Sequence, residues 1–374
     1  MLKNEVENKM IEFGVALYPD DISISHDIKY LEMVRKYNFS ELFLCLFSAE
    51  NLENSKRIIN IAKEMGFFIT ADIHFDVFKD HGLNYEDISF IKEIGLDAIR
   101  LDKGFSGFEE AMMTYNDFGI FIDLNISSDY NIVEKVLSYR PRKSFLRASH
   151  NYYPKDFTGL SEEYYIKSTS FAKLNGLKTS GFIFSQNGDF SIKSSISKTP
   201  MLEMHRNFDI VTQAKHLINM ELSDKIIIGN CYAKEDEIKK LSELEESILS
   251  FDIIPMKGIS DKEKEYLEFP LYTCRGDNSV YTIRTLEARK KIKNICVKNN
   301  SYDINRGDIF IDNENSEGYE GELSIALKNI KNNGNMNVLA RVKEEEIFML
   351  KYLDSWKKFN FNFMKGNGDY DRNR

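Results

Sequence analysis

Carboxylate, guanidinium, imidazole and amide side chains recur in this sequence at one kind of place, just after short apolar runs. Asp72 follows one run and Asp102 another, while Glu203, His205 and Arg206 stand together further along. Tyr18, Arg100, Asn125, His150, Asn151, Tyr152 and Asn230 hold comparable positions elsewhere. Glycoside hydrolysis needs one carboxyl group to protonate the leaving oxygen and a second to act as base or nucleophile. Asp72, Asp102 and Glu203 supply three candidates from three separate segments. Each residue alone has a plainer reading. An Asp or Asn after a strand often caps the next helix, and a lone histidine such as His150 is more often a hydrogen-bonded structural residue. Their concentration is the signal.

Two other chemistries compete. Asp72, His74 and Asp76 would share a face if their strand continued, but one short cluster falls short of a usual ligand constellation, so no metal and no cofactor is expected. A sugar-phosphate isomerase or lyase would want a lysine well inside a strand run. Lys103, directly after Asp102, is a Schiff-base former or a solvated side chain.

The elements that must position these groups form one repeated unit. Apolar runs at Phe13–Leu17, Glu41–Leu46, Phe67–Ala71, Ala98–Leu101, Ile120–Leu124, Ser144–Ala148, Lys178–Phe184 and Lys225–Ile228 are each followed by a helix-period stretch. Helices are predicted over Ser23–Tyr37, Asn51–Met65, Tyr85–Ile94, Ser106–Tyr115, Ser128–Leu137, Ser161–Leu174, Arg206–Met220 and Lys234–Glu245. Gly66, Gly95 and Gly176 follow three of them as stops. The runs lack strict polar alternation, as strands covered on both faces do. No glycine-rich phosphate loop follows any of them. Eight such units predict an α/β chain whose first domain, residues 1–248, is a (β/α)8 TIM barrel. Its strand ends share one working face. Barrels often seat phosphate after strands seven and eight, which nominates Ser185, Gln186, Gly229 and Asn230.

Beyond Ser247–Lys257 the pattern changes. Segments around Ser279–Ile283, Ile309–Ile311, Leu323–Leu327, Val338–Val342 and Phe359–Phe363 read as strands, with one helix-like patch at Lys343–Leu353. Residues 249–374 are therefore expected to form a small, mostly antiparallel β domain, ending in a mobile tail at Gly366–Arg374.

The 374 residues carry a formal net charge of −9, which leaves no cationic excess for nucleic acid. No run approaches the length needed to span a bilayer, and Met1–Glu12 has no apolar core of a secretory signal. Cys45, Cys231, Cys274 and Cys296 form no CxxC pair. A reduced, cytoplasmic protein without membrane partners is expected.

With these residues in view the chain resembles the MupG-type 6-phospho-N-acetylmuramidase family. The resemblance rests on Gly14-Val15-Ala16-Leu17-Tyr18-Pro19, Ile99-Arg100-Leu101-Asp102, His150-Asn151-Tyr152-Tyr153-Pro154, Thr158-Gly159-Leu160 and Thr199-Pro200-Met201-Leu202-Glu203-Met204-His205-Arg206. Gln213-Ala214-Lys215-His216-Leu217, Ile228-Gly229-Asn230, Arg275-Gly276-Asp277 and Arg306-Gly307-Asp308 extend it over nearly the whole chain. It departs at His74-Phe75, where the family tends to have Ser-Pro, and at Tyr272-Thr273-Cys274, where the family has a His. The resemblance implies a barrel with a cyclophilin-like C-terminal domain. It also implies cleavage of N-acetylmuramic acid 6-phosphate from N-acetylglucosamine in peptidoglycan recycling.

Such a disaccharide carries about three negative charges near neutrality. Arg100, Arg206, His150 and His205 are the expected counter-charges, and Tyr18, Asn125, Asn151 and Asn230 the expected donors and acceptors for hydroxyl and acetamido groups. Asp102 with Glu203 is the expected carboxylate pair, with Asp72 in reserve. A non-catalytic sensor of phosphorylated amino sugars and a metal-dependent isomerase stay open as alternatives, and a homodimer as an assembly.

Overall fold

The computed structural model describes residues 11–19, 24–46, 52–73, 84–101, 104–129, 131–188, 198–298 and 303–364. The chain divides into two compact units, Met1–Leu244 and Glu245–Arg374.

In the first unit eight strands follow one another: β1 (Glu12–Leu17), β2 (Glu41–Leu46), β3 (Phe68–Ile73), β4 (Ala98–Leu101), β5 (Phe121–Asn125), β6 (Leu146–Ser149), β7 (Lys178–Ile183) and β8 (Lys225–Ile228). Each pairs in parallel with the next, and β8 pairs with β1, so the barrel closes. Val15, Ala16 and Leu17 show why the runs lack alternation. All three are fully buried, because one face of each strand fills the barrel and the other meets the helices.

Helices α1 (Ile24–Lys36), α2 (Leu52–Glu64), α3 (Ser89–Glu93), α4 (Phe108–Met113), α5 (Ile132–Ser138), α6 (Glu162–Leu174), α7 (Ile210–Met220) and α8 (Glu235–Ser242) connect the strands. Gly66 and Gly176, just past α2 and α6, both have φ of +82°, the left-handed stop that the sequence anticipates. All eight are shorter than predicted, and in two the local hydrogen bonds show why. The amide-accepting side chains of Asn84 and Asp87 hold turns ahead of α3, taking the backbone N–H groups of Glu86, Asp87 and Ser89. The predicted helix Arg206–Met220 is instead a 3₁₀ turn, Glu203–Asn207, followed by α7. Asp209 divides the two by capping Val211 and Thr212 at 2.9 and 3.0 Å.

The N-terminal end of the barrel is closed by charge and aromatic rings. Buried Lys225 pairs with Glu41 and lies 3.4 Å from Glu12. The Arg147 guanidinium sits 3.9 Å from the Phe68 ring centroid and 4.3 Å from that of Phe121. Buried charges demand such partners.

The second unit comprises β9 (Ile248–Pro255), α9 (Asp261–Leu267), β10 (Tyr272–Thr273), β11 (Thr282–Arg284), α10 (Ala288–Lys291), β12 (Asp308–Asp312), β13 (Leu323–Ala326), β14 (Met336–Val342) and β15 (Lys358–Phe363). They form one sheet in the order β10-β15-β9-β14-β12-β13-β11, antiparallel except for β15 on β9. Strand β9, where the sequence showed only a change of pattern, is central. Its buried Leu249, Phe251 and Ile253 alternate with half-exposed Ser250 and Asp252. The helix-like patch is a 3₁₀ helix, Glu344–Tyr352, and its buried pairs Glu346/Met349 and Ile347/Leu350 are three residues apart, as three residues per turn requires. The tail Gly366–Arg374 lies outside the described residues.

Candidate active site

At the C-terminal ends of the barrel strands several of the predicted residues join into one polar network. Asp72 on β3 is in register with Arg100 on β4, and the Arg100 Nε lies 3.4 Å from Asp72 Oδ1. Arg100 is only 1% exposed although it carries a charge. Its guanidinium donates to the His150 carbonyl at 3.2 Å and to Asn151 Oδ1, and lies 5.5 Å from the Phe43 ring centroid. Asn151 Oδ1 also accepts from Asn125 Nδ2 at 3.2 Å. Across the barrel the Tyr18 and Tyr152 hydroxyls stand 2.8 Å apart. Tyr18 reaches the Gly229 carbonyl, and Cys45 Sγ is 3.3 Å from the Tyr152 oxygen. Burial pushes both phenols well above their ordinary range, so they stay neutral and able to donate.

His150, expected as a counter-charge, serves otherwise. It is fully buried, with Nδ1 3.0 Å from Ser127 Oγ and Nε2 2.8 Å from Thr169 Oγ1 on α6. Thr169 spends its proton on the Tyr165 carbonyl at 2.6 Å, so its oxygen accepts from Nε2–H. Ser127 Oγ takes the Asn151 N–H at 2.7 Å and turns its own proton to Nδ1. These partners fix the neutral tautomer. Burial first, then the nearby Arg100 charge, lower the imidazole to about 3.

Glu203 and Arg206 form a clamp. Arg206 donates through Nε and Nη2 to the two Glu203 oxygens at 2.6 and 2.7 Å. Glu203 also accepts the backbone N–H of Phe157 at 3.1 Å and of Gly159 at 2.7 Å. The Arg206 hydrogen bonds, followed by those two amides, hold the carboxyl down at about 2. A carboxyl so held carries no proton near neutrality, so Glu203, expected as one of the carboxylate pair, has none to give a leaving oxygen. Arg206 is engaged as well, donating to the Tyr153 and Lys155 carbonyls at 3.2 and 3.0 Å and facing Asp156 at 3.4 Å. His205 is buried, its Nε2 2.8 Å from His216 Nδ1, and burial lowers it well below its usual range. Of the four expected counter-charges, Arg100 is the cation within the network.

The phosphate nominees pair among themselves. The Ser185 N–H donates to Asn230 Oδ1 and Asn230 Nδ2 to the Ser185 carbonyl, each at 2.8 Å. Ser185 Oγ donates to Glu237 at 2.7 Å, and Gln186 reaches the Phe208 carbonyl at 2.7 Å. Gly229 belongs to the Tyr18 contact instead. Asp102 lies outside the described residues, as do His74, Asp76 and Lys103. Among the described residues no group of three or more His, Cys, Asp or Glu could hold a metal.

Sequence reasoning passed over two residues here. Cys45, read as a small buried hydrophobe, is in register with Asp72 and touches Tyr152. Asp123 lay inside a run counted as apolar, yet it registers with Arg100 on one side and Arg147 on the other. Burial raises its carboxyl, and Arg100 opposes the rise. Its spacing of two from Asn125 was the available signal. The whole arrangement offers a guanidinium fixed between carboxylates, neutral phenols and oriented amides, which suits an anionic, hydroxyl-rich ligand.

Residues 13–243 match the N-terminal region of the family described as 6-phospho-N-acetylmuramidase, and residues 249–362 match its C-terminal region. The crystal structure of an uncharacterized B. cereus protein is 36% identical, with a TM-score of 0.87 over 94% of this chain and 99% of that one. A conserved protein of unknown function from Enterococcus faecalis is 21% identical with a TM-score of 0.72, over 95% of this chain and 97% of that one, a likeness of fold. No curated protein matches.

Proposed function

The chain belongs to the 6-phospho-N-acetylmuramidase family and is a glycosidase, and on that premise we propose that bond cleavage takes place in the network at the barrel mouth. The observation that carries this reading is the continuous chain Asp72–Arg100–Asn151–Asn125, with the Tyr18–Tyr152 pair beside it, touching Cys45 next to Asp72. Arg100 meets the 6-phosphate or the lactyl carboxylate of N-acetylmuramic acid 6-phosphate, in a buried setting where a charged hydrogen bond is strong. The phenols and amides address hydroxyl and acetamido groups. Asp72, beside Arg100, suits the anionic role of base or nucleophile. Asp102, two positions past Arg100 in the sequence, is proposed as its partner, the acid that protonates the leaving oxygen of N-acetylglucosamine.

The Glu203–Arg206 clamp holds the segment after Tyr152–Pro154 and so shapes the rim. The barrel, residues 1–248, is read as the catalytic domain, and residues 249–374 as a cyclophilin-like accessory domain. The cellular role is recycling of cell-wall fragments in the cytoplasm. Among the described residues no helix is long and apolar enough to cross a membrane.

Purified protein given the phosphorylated disaccharide should release both sugars and leave the unphosphorylated disaccharide intact. Equal turnover of the two would defeat the assignment of phosphate recognition to the site.

A further inference from the structure

The second unit has a cavity of its own, about 620 Å³, lined by Arg275, Arg289, Lys293, Glu322 and Trp356 among others. That volume lies within the range of small-molecule sites. One wall is the Trp356 indole, which is 60% exposed. The ring packs against Gly276, where an added Cβ would stand 2.3 Å from the ring carbon Cζ2. Only glycine lets the indole lie there. Trp356 itself has φ of +68°, an unusual conformation for a bulky residue, so its position is imposed by its surroundings.

The cavity also holds an unusual charge arrangement. Glu322 is 4% exposed, and among the described residues its Oε2 has no hydrogen-bond donor. Arg275 and Arg289 approach that oxygen only to 3.7 and 3.8 Å, and Arg284 comes to 3.9 Å from Oε1. Three guanidinium groups thus surround one carboxylate at distances too long for hydrogen bonds. Asp277 satisfies Arg275 and Arg284 on their outer sides, at 2.8 and 2.5 Å. Arg289 has the Tyr319 ring at 4.9 Å, and Lys293 reaches the Glu320 carbonyl at 3.5 Å.

We propose that this cavity is a second ligand site, one that takes a small acidic sugar. The exposed indole offers a flat apolar platform to the C–H face of a pyranose ring. Arg289 and Lys293 supply charge for a phosphate or carboxylate, and the unsatisfied Glu322 Oε2 in the cavity wall is the acceptor for a hydroxyl or amide N–H. A carboxylate acceptor beside the cations favours a ligand with both anionic and hydroxyl groups over a bare anion.

Trp356 is the chain's single tryptophan, so its fluorescence reports on this cavity alone. The whole protein would be titrated with N-acetylmuramic acid 6-phosphate, glucose 6-phosphate, inorganic phosphate and adenosine monophosphate. A saturable change with the sugar phosphates, retained in Asp72→Asn and weakened about tenfold in Arg289→Gln and Lys293→Gln, is expected. Lys293 stands at the rim, so its variant remains informative should Arg289→Gln fail to fold. No saturable change, or phosphate or the nucleotide binding as tightly as the sugars, would overturn the proposal. So would loss of the signal in Asp72→Asn. Only the choice of probe rests on the proposed function. Hydrolysis without a fluorescence change defeats this inference alone, and a fluorescence change without hydrolysis defeats the proposed function alone.

Discussion

Arg206 grips Glu203 by two parallel N–H···O bonds, at 2.6 and 2.7 Å, while the backbone of Phe157 and Gly159 fills the remaining acceptor positions of the carboxylate. Gly159 allows this approach, since a Cβ there would stand 2.7 Å from the Glu203 backbone nitrogen. Glu203→Gln should therefore act first on stability. An amide cannot satisfy four donors, and a loss of about 1–3 kcal/mol is expected, read as a lowered denaturation midpoint. Turnover per folded molecule should fall far less than in Asp72→Asn. A variant as stable as wild type yet inactive would return Glu203 to the catalytic pair.

Asp72→Asn and Asp102→Asn should each lower kcat by about 10²–10⁴-fold, the usual worth of a positioned acid or base. Circular dichroism should show both variants folded. Near-normal turnover in either removes that residue from the pair.

Arg100→Met tests charge recognition. The variant keeps bulk beside Phe43 but loses the cation, and should raise KM for the phosphorylated disaccharide more than about tenfold. Because Asp72 would lose its partner, thermal stability should be followed in parallel. An unchanged KM would place the phosphate contact elsewhere.

Acid stability should carry the signature of His150. Its folded value of about 3 is below the ordinary 6.5, so the unfolded chain binds a proton that the native state refuses. The stabilisation is complete above about pH 6.5 and is lost as pH falls toward 3, at up to roughly 1.4 kcal/mol per pH unit. His205 contributes in the same direction. Glu41 opposes both, because burial raises it from 4.5 to about 7 and its stabilisation fades as pH rises through that window. The informative measurement is thus the difference between wild type and His150→Gln in the slope of unfolding free energy against pH. Identical slopes would refute the neutral assignment.

The barrel was legible because doubly covered strands leave uninterrupted apolar runs, and its strand ends gave the location of the mouth. Orientation was not legible. Whether His150 faces the mouth or α6 depends on Thr169, and whether Glu203 is free or clamped depends on amides at Phe157 and Gly159. Those partners come from other segments, so local pattern holds no trace of them. Asp123 was hidden for the opposite reason, since a single acid does not break an apolar run. In the second unit β9 was missed although Leu249, Phe251 and Ile253 mark one face, because its polar residues blurred the border with the barrel.

The hydrogen bonds around His150 all run one way, from the Asn151 amide through Ser127 to the ring, and from the ring through Thr169 to Tyr165. Such a relay has a polarity. A proton placed on Nδ1 would set two hydrogens against each other at Ser127, and that hydroxyl would have to turn away. The residue next in line is Asn151, the acceptor shared by Arg100 and Asn125. Because the native ring takes that proton only near pH 3, below the range over which its stabilisation is lost, acid would open the barrel before it could reverse the relay inside a standing one.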